Sequence, residues 1–250
     1  MAPITSSRIT LLGIPIDAVT MDEAIARLLS FFDRGQCTHA MTPNSEMLVE
    51  AMRNVRFRRV LGAAAFSLPD SVGLLFAARW THQRLPARIA GVDAVIALCN
   101  ALTEQHSVFL LGSAPGVAAR AAHVLQKLNP SLHIAGTYAG SPSEDDASGI
   151  IQRINASGAR LLLVAYGAPM QDLWINTHLQ EFSSVRLAMG VGGTFDFLAG
   201  DVRRAPIIFR AVGLEWLWRL FLQPWRIKRI WNAVIVFPLL VLCYGKRRPA

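Results

Sequence analysis

Cysteine and charge are both scarce in this sequence. The three cysteines, Cys37, Cys99 and Cys243, are odd in number and far apart, so they form neither a disulfide framework nor a CxxC metal pair. We therefore expect the reducing environment of the cytoplasm. Charged residues make up 17% of the chain against 52% hydrophobic residues, and the mean hydropathy of +0.35 excludes a disordered protein.

Sequence signals for membrane crossing and secretion are also missing. No apolar run reaches the roughly 18 residues that a spanning helix needs, which argues against a polytopic membrane protein. Residues 1–10 lack the charged region and apolar stretch of a signal peptide. The 250 residues are sufficient for one large domain, or for a domain with an appendage.

The net charge of +8 is concentrated in one part of the chain. Residues 201–250 hold ten of the twenty-five Lys and Arg residues but only two of the seventeen acidic residues, which leaves fifteen of each sign in residues 1–200. We therefore predict two parts: an α/β core over residues 1–200 and a basic, apolar, helical appendage over residues 201–250.

Short apolar runs alternate with amphipathic stretches through residues 1–200. Thr20–Glu23 forms a capping box that opens a helix, which Gly35 closes. Strands are predicted at Arg8–Ile14, Thr38–Thr42, Ala64–Leu68, Ser107–Leu111, His133–Tyr138, Arg160–Tyr166 and Arg186–Val191. Helical patterns lie between them at 44–54, 71–80, 93–104, 116–128, 144–156 and 170–181. This alternation predicts a Rossmann-like, mostly parallel sheet with helices on both faces.

The appendage is expected to lie on a membrane surface without crossing it. Pro224 begins a helix, but the almost wholly apolar part is Ile230–Tyr244, and its fifteen residues make a helix of about 22 Å. The hydrocarbon core is about 30 Å thick, and Pro238 would weaken the helix further. An in-plane helix would place two tryptophans at the headgroups and the basic residues on anionic lipid. These residues are Trp225, Trp231, Arg226, Lys228, Arg229 and Lys246–Arg248. The alternative is a helix packed on the core or at a dimer interface.

Polar and glycine-rich segments follow five of the predicted strands. Ligands of open α/β sheets bind beyond the carboxyl ends of the strands, so these segments are the candidate site. They are Thr42–Glu46, Pro69–Gly73, Gly112–Gly116, Gly167–Asp172 and Gly192–Asp196. Gly112–Gly116 leads directly into a helix and could hold a phosphate on free amides. It matches neither GxGxxG nor a P-loop, so an ordinary tight turn is the alternative reading.

Several acidic and amide residues have both a chemical and a structural interpretation. Asp70, at a strand end, could be a general base, or it could cap the helix that follows. The same two interpretations apply to Asn44, while Asp93 most simply caps its helix. Glu144–Asp146 follow Ser143 and fit the first turn of a helix better than a metal site. The six histidines have no metal-ligand spacing, so we predict no metal.

The ordered set of motifs resembles the WecG/TagA/CpsF family of glycosyltransferases, glycosyltransferase family 26. The matching stretches are Thr42–Glu46, Leu68–Asp70, Arg88–Asp93, Phe109–Gly116, Tyr166–Trp174, Gly190–Gly200, Arg203–Pro206 and Gly213–Arg219. The resemblance covers about residues 10 to 230. It implies inverting transfer of a sugar from a UDP-sugar to a polyprenyl-diphosphate-linked saccharide, without a DxD metal motif and without a cofactor. Such enzymes make cell-surface polysaccharides, which implies a place on the cytoplasmic face of the plasma membrane.

The resemblance also assigns roles to individual residues. Asp70 matches the family's proposed base, and Thr42 and Asn44 match its pocket residues. We predict Asp70 and Thr42 as catalytic and Asn44 as substrate-binding. Residues in the matching stretches that we assign to substrate binding are Arg88, Asp93, Gly112, Gly116, Gln171 and Asp172. Arg203 and Arg204 are candidates for the departing diphosphate, because arginine binds phosphates through two parallel hydrogen bonds. Ser71 and Asp172 depart from the Gly and Glu usual in the family.

Two other functions compete with this interpretation. A nicotinamide-dependent oxidoreductase would need GxGxxG after its first strand, where this chain has Gly13–Asp17. A non-catalytic module that binds nucleic acid or membrane would account for the basic appendage. Its basic residues flank an apolar segment, which favours lipid over nucleic acid. The expected partners are thus a UDP-sugar, a lipid-linked acceptor and anionic membrane, with a homo-oligomer possible. Glucose, N-acetylmannosamine and its uronate all remain open as the donor sugar.

Overall fold

The computed structural model describes residues 7–206, 209 and 215–247 of the chain. Its strands are β1 Ser7–Leu11, β2 Ile14–Ala18, β3 Thr38–Met41, β4 Phe66–Ser67, β5 Ser107–Gly112, β6 His133–Tyr138, β7 Leu161–Ala165 and β8 Leu187–Gly190. The core helices are α1 Met21–Leu29, α2 Ser45–Arg53, α3 Val55–Ala63, α4 Val72–Trp80, α5 Gly91–Ala101, α6 Val117–Leu128, α7 Glu144–Ala156, α8 Met170–His178 and α9 Thr194–Leu198. Helices α10 Glu215–Leu222, α11 Ile227–Trp231 and α12 Phe237–Tyr244 follow in the appendage.

Six strands form one parallel sheet in the order β4-β3-β8-β7-β5-β6. Alternate residues of the central strand β7 enter different cores, as the two-residue period of a strand requires. Leu161 and Leu163 pack with α1, α5 and α6 on one face, whereas Leu162 and Val164 pack with α7 and α8 on the other. The predicted α/β sheet with helices on both faces is therefore confirmed.

The first predicted strand, Arg8–Ile14, is wrong as a single element. The chain reverses at Leu12 and Gly13, both with positive φ (52° and 78°), so β1 and β2 form an antiparallel hairpin outside the main sheet. Two residues with positive φ are typical of tight hairpin turns, but leucine rarely occupies such a position and gave no turn signal. Buried Asp17 fastens the hairpin to the sheet, accepting hydrogen bonds from Arg8 Nε at 3.0 Å and Ser67 N at 2.8 Å.

Helix boundaries follow their capping residues. The capping box at Thr20 is present, but α1 ends at Leu29 and a 3₁₀ turn over Ser30–Asp33 replaces the predicted continuation to Gly35. Helix α3 was not predicted. Asn54 ends α2 and also caps α3, its Oδ1 accepting from Phe57 N at 3.0 Å, so two helices meet at one residue without a loop signal.

The appendage forms a longer helix than predicted. Pro224–Tyr244, here called the terminal helix, runs for 21 residues through 3₁₀, α, π and α turns. The length limit based on Ile230–Tyr244 is thus wrong, because 21 residues span about 31 Å. Pro238 is accommodated by the wider π turn at Asn232–Val236 directly before it. By length and composition, this is the one helix in the described part of the chain that could cross a membrane.

The terminal helix lies against the folded core. Phe237 and Val241 are buried in the cluster that includes residues of α2, α3 and the hairpin. Beyond the helix, Gly245 O and Lys246 O accept hydrogen bonds from Leu12 N at 3.0 Å and Gly13 N at 3.1 Å. One face of the helix is therefore packed on the core, as the alternative interpretation expected. The predicted lipid contact Arg248 and the motif residues Gly213 and Leu214 lie outside the described residues.

Candidate functional site

The candidate site lies beyond the carboxyl ends of β3 and β4. The loop that carries Asp70 is held on both sides by backbone hydrogen bonds. Asp70 N donates to Pro43 O at 2.9 Å, and Ile89 N donates to Pro69 O at 2.8 Å. Three segments that are distant in sequence, at residues 42–44, 69–70 and 88–91, are thereby brought together.

Asp70 and Thr42 face one point at the start of α5. An ideal Cβ on Gly91 would lie 3.7 Å from Asp70 Oδ2 and 3.6 Å from Thr42 Oγ1, so a side chain there would enter the space between them. The Asp70 side chain is 26% exposed, which leaves it partly desolvated but open to a ligand. Helix α4 takes Ser71, not Asp70, as its N-cap residue, so the helix-cap interpretation of Asp70 is wrong.

Asn44 and Ser71 connect the loops around Asp70. Asn44 caps α2, its Oδ1 accepting from Met47 N at 3.0 Å, and it also lines the cavity beside Asp70. Ser71 Oγ accepts from Ser45 N at 3.1 Å and lies 2.9 Å from Ser45 Oγ. The hydroxyl of Ser71 therefore joins the two loops, a contact that the Gly usual at this position in the resembling family could not make.

A groove of about 400 Å³ extends from Asp70 along α4. Asn44, Asp70 and Arg88 line its polar end, and apolar side chains of α4 and the terminal helix form its walls. Arg226 and Arg229 also line it. Because they are three residues apart on a helix, they share one face. We predicted both arginines as lipid contacts. Their three-residue spacing is the sequence feature from which a shared position in one site could have been predicted.

Neither of the predicted diphosphate arginines lines the groove beside Asp70, and their role toward a diphosphate stays a prediction. Arg204 makes a bidentate ion pair with Asp93, with both N–O distances at 2.7 Å. The side chain of Arg203 is exposed, and its carbonyl accepts from Trp218 Nε1 at 3.3 Å. Asp93 lies within the first turn of α5, whose N-cap residue is Ala90, so the predicted cap is also wrong.

The backbone of the glycine-rich turn after β5 is compatible with both interpretations of this turn, an anion-binding loop and an ordinary tight turn. Gly112, Ser113 and Gly116 all have positive φ, and Gly116 is the N-cap residue of the twelve-residue helix α6. A Cβ on Gly112 would lie 2.8 Å from the backbone of Ala165, so only glycine fits there. Ser113 Oγ donates to Asp196 Oδ1 at 2.8 Å and ties this turn to the β8–α9 loop, a contact that sequence reasoning missed.

Gln171 and Asp172 are buried beneath the loops of β7 and β8. Gln171 Oε1 accepts from Gly167 N at 3.1 Å and from Gly192 N at 2.9 Å, so one amide oxygen holds two loops. Asp172 is fully buried and lies 3.4 Å from His39 Nε2. Gln171 therefore supports these loops and Asp172 lies beside β3, while contact of either side chain with a nucleotide sugar stays a prediction.

The acidic run Glu144–Asp146 occupies the first turn of α7. Ser143 Oγ caps that helix by accepting from Asp145 N at 3.3 Å. Among the residues that the structure describes, no group of three His, Cys, Asp or Glu side chains could hold a metal ion. That the reaction needs no metal stays a prediction.

Comparison with known proteins identifies relatives of the chain. The model of the WecG/TagA/CpsF family of glycosyl transferases matches residues 9–250. An N-acetylglucosaminyldiphosphoundecaprenol N-acetyl-beta-D-mannosaminyltransferase from Bacillus spizizenii strain W23 is 33% identical over 222 residues, which cover 88% of this chain and 84% of that relative. A protein with the same name from Staphylococcus aureus strain MRSA252 is 29% identical over 229 residues, or 90% of this chain and 89% of the relative.

Proposed function

The chain belongs to the WecG/TagA/CpsF family of glycosyl transferases, and from this premise we propose that it transfers a sugar from a UDP-sugar to a polyprenyl-diphosphate-linked saccharide. N-acetylmannosamine is the favoured donor sugar, and N-acetylglucosaminyl diphosphate the favoured head of the acceptor, because the names of both relatives contain them. Glucose and N-acetylmannosaminuronate are the alternatives to be compared. The product belongs to a cell-surface polysaccharide.

The observation that carries the proposal is the place of Asp70, which lies with Asn44 and Arg88 at the polar end of a groove whose far walls are apolar. Its carboxylate takes the proton of the acceptor hydroxyl as that oxygen bonds to the anomeric carbon of the donor. The bond from this carbon to the UDP oxygen breaks, and its electron pair leaves with the diphosphate. Attack from the opposite side inverts the anomeric configuration. Thr42 Oγ1, beside Asp70, can hold the hydroxyl in line.

The negative charge on the leaving UDP needs donors that are in place before the reaction. In the Gly112–Gly116 turn, Ser113 N donates to Ala165 O at 3.1 Å and Pro115 has no N–H, so the amides of Ala114 and Gly116 are the candidates for this role. Arg88 supplies positive charge near Asp70, with Nη2 at 3.9 Å from Oδ1. Arg226 and Arg229 line the groove and can bind the diphosphate of the acceptor. No step in this scheme uses a metal.

We further propose that the enzyme is a peripheral protein of the cytoplasmic membrane face. The outward side of the appendage carries an exposed apolar face, which comprises Phe221, Trp225, Ile227, Trp231, Leu239 and Leu242, each at least 56% exposed. Apolar surface of this extent marks an interaction site, and basic neighbours such as Lys228 suit anionic lipid. Because the other side packs on the core, the helix can reach lipid by lying along the surface. A homo-oligomer stays a prediction.

A transfer assay tests the proposed function. A synthetic N-acetylglucosaminyl diphosphate lipid is incubated in EDTA with UDP-N-acetylmannosamine, UDP-glucose or UDP-N-acetylmannosaminuronate. Mass spectrometry identifies the added sugar, and NMR gives its anomeric configuration. We expect the acceptor to gain one sugar of inverted anomeric configuration from one of these donors. Absence of transfer with all three donors, also after Mg²⁺ is added back, would contradict the proposal. Transfer that occurs only with Mg²⁺ would contradict the metal-free scheme alone.

A further inference from the structure

The groove beside Asp70 has a long apolar section that the transfer chemistry does not need. Phe76, Ala77 and Trp80 of α4 line one side, and Ala233, Phe237 and Val241 of the terminal helix line the other. A sugar and a diphosphate are polar groups, so neither accounts for these walls. The apolar section therefore calls for an apolar part of a ligand.

We infer that this section, here called the tail groove, binds the first isoprene units of the lipid-linked acceptor. The inference rests on the proposed function, and it specifies which part of the protein holds the acceptor's lipid. The tail groove and Asp70 belong to one continuous cavity. An acceptor whose sugar hydroxyl is at Asp70 would therefore place its lipid in this section.

The order of groups along the groove matches the order of groups in the acceptor. Helix α4 starts beside Asp70 and ends at Trp80. The terminal helix runs the same way, because Arg229 Nε pairs at 2.6 Å with Glu46 in the first turn of α2, whereas Val241 lies with Trp80 at the far end. Along the groove, the Asp70 carboxylate is followed by Arg226 and by Arg229, which is paired with Glu46, and then by the apolar walls. The acceptor presents a sugar hydroxyl, a diphosphate and an isoprenoid in the same sequence.

Small residues leave the space that the tail would occupy. Ala77 and Ala233 stand on facing helices, and Gly73 allows α4 to approach its neighbours closely. A Cβ on Gly73 would lie 2.3 Å from Ser45 Oγ and 3.7 Å from the Phe237 ring, so a larger residue would push the helices apart. The width of the tail groove is thus fixed by close helix packing at its polar end.

The tail groove opens toward the exposed apolar face of the protein. A second depression of about 310 Å³ continues from Trp80 and Val241 to Leu242 and Lys246. Phe76 and Trp80 are 60% and 57% exposed at the rim. The rest of a long isoprenoid can leave at this end and enter the bilayer on which the terminal helix would lie. An apolar chain suits this path better than a peptide, because the walls offer few polar partners.

Two acceptors with one head and different tails test the inference. N-acetylglucosaminyl diphosphate is esterified with either a methyl group or a farnesyl chain and used below the micelle concentration. For the unchanged enzyme, we expect KM for the farnesyl acceptor to be at least about 10-fold lower, since even one methylene in a fitted pocket changes recognition by about 10-fold or more. Equal KM values for the two acceptors would overturn the inference while leaving the proposed function intact.

Ala233→Phe fills the tail groove, and Ile235→Phe makes the same kind of change at an exposed position of the helix outside the groove. The first variant should raise KM for the farnesyl acceptor about 10-fold and should affect KM for the methyl acceptor much less. The control should change neither. Equal loss with both acceptors would show general damage and contradict the inference. Circular dichroism and thermal unfolding verify that both variants fold.

Binding of farnesyl diphosphate, measured by calorimetry, tests the tail groove without sugar transfer. The unchanged enzyme and Ile235→Phe should bind it, and Ala233→Phe should bind it about 10-fold more weakly. If this pattern holds but no sugar is transferred, the proposed function fails and the lipid site stands. If sugar is transferred but all three proteins bind farnesyl diphosphate equally, the lipid site fails alone.

Discussion

Arg88 holds the backbone of Asp70 more closely than it holds its carboxylate. Arg88 Nε donates to Asp70 O at 2.9 Å, whereas Nη2 lies 3.9 Å from Oδ1. The guanidinium therefore fixes the loop and adds positive charge, without a close pairing to Oδ1. Oδ2 is directed to the space shared with Thr42 and Gly91. A carboxylate placed in this way can accept a proton from a bound hydroxyl.

Asp70→Asn tests whether this carboxylate is the base. The variant keeps size and shape but cannot take a proton, so turnover should fall by roughly 10²–10⁴-fold. Folding should be unaffected, because Ser71 rather than Asp70 is the N-cap residue of α4. The measurement is kcat with the transferred donor, together with circular dichroism. Full turnover would show that Asp70 is not the base.

Arg88→Lys separates charge from hydrogen-bond geometry. Lysine keeps the positive charge but has no Nε–H fork to hold the Asp70 carbonyl. We expect kcat to fall about 10- to 100-fold, since small misplacements of reacting groups have effects of this size. Arg84→Lys, at an exposed position outside the groove, is the matched control. Equal rates for the two variants would mean that the contact with the carbonyl is dispensable.

Gln171→Leu should destabilise the two loops that one amide oxygen now holds. It leaves the amides of Gly167 and Gly192 without this acceptor, at a cost of about 1–3 kcal/mol for each group that stays buried. Gln171→Glu keeps an acceptor oxygen but buries a charge beside the fully buried Asp172, so it should also be destabilised at neutral pH. Urea unfolding measures both changes. The loop role is refuted if Gln171→Leu is as stable as the unchanged protein.

Liposome flotation tests the exposed apolar face. Deleting residues 225–250 would remove the buried side chains of Phe237 and Val241 and expose the core that they cover, so an effect on binding could not be separated from an effect on folding. Trp225→Ser, Trp231→Ser and Leu242→Ser combined change only exposed side chains. This variant should stay folded and no longer float with anionic liposomes, while Val55→Ser on α3 should float normally. High salt should weaken flotation only in part, since the apolar contact is independent of charge.

The thiols provide a natural probe of the same face. Burial raises the pKa of both the Cys37 and the Cys99 thiol to about 12, so almost no reactive thiolate forms at pH 8 and their reactivity rises only as the pH approaches 12. Cys243, on the terminal helix, is exposed. We expect a thiol reagent to modify Cys243 alone in the folded protein, and anionic liposomes to slow this reaction. Equal rates with and without liposomes would contradict a lipid contact at α12.

The main sheet could be predicted because buried strands are continuous apolar runs. His133–Tyr138 was predicted with the observed bounds, and the other five strands of the sheet differ by one or two residues at their ends. The hairpin could not be predicted, because its turn uses Leu12 at positive φ, and only burial in the folded protein holds a leucine there. The boundary between α2 and α3 could not be predicted either, because Asn54 alone is both the C-cap residue of α2 and the N-cap residue of α3.

The candidate site was predictable only where its residues follow a strand directly. Asp70, Thr42 and Asn44 lie at strand ends and meet as expected. Arg204 and Arg229 have the same chemistry, and the sequence does not reveal that the first pairs with Asp93 while the second reaches the groove. That difference depends on how the terminal helix packs, which involves contacts across nearly the whole chain.

The hydrogen bonds from Leu12 and Gly13 to Gly245 and Lys246 join opposite ends of the described chain. Contacts so distant in sequence require the closure of a very long loop, which favours their formation after the sheet and its helices are in place. One wall of the groove would then be assembled last. Until then, both the side of the terminal helix that later packs on the core and its outward side are exposed. A nearby bilayer would therefore bind this helix during folding, before the folded enzyme acts on its lipid-linked substrate there.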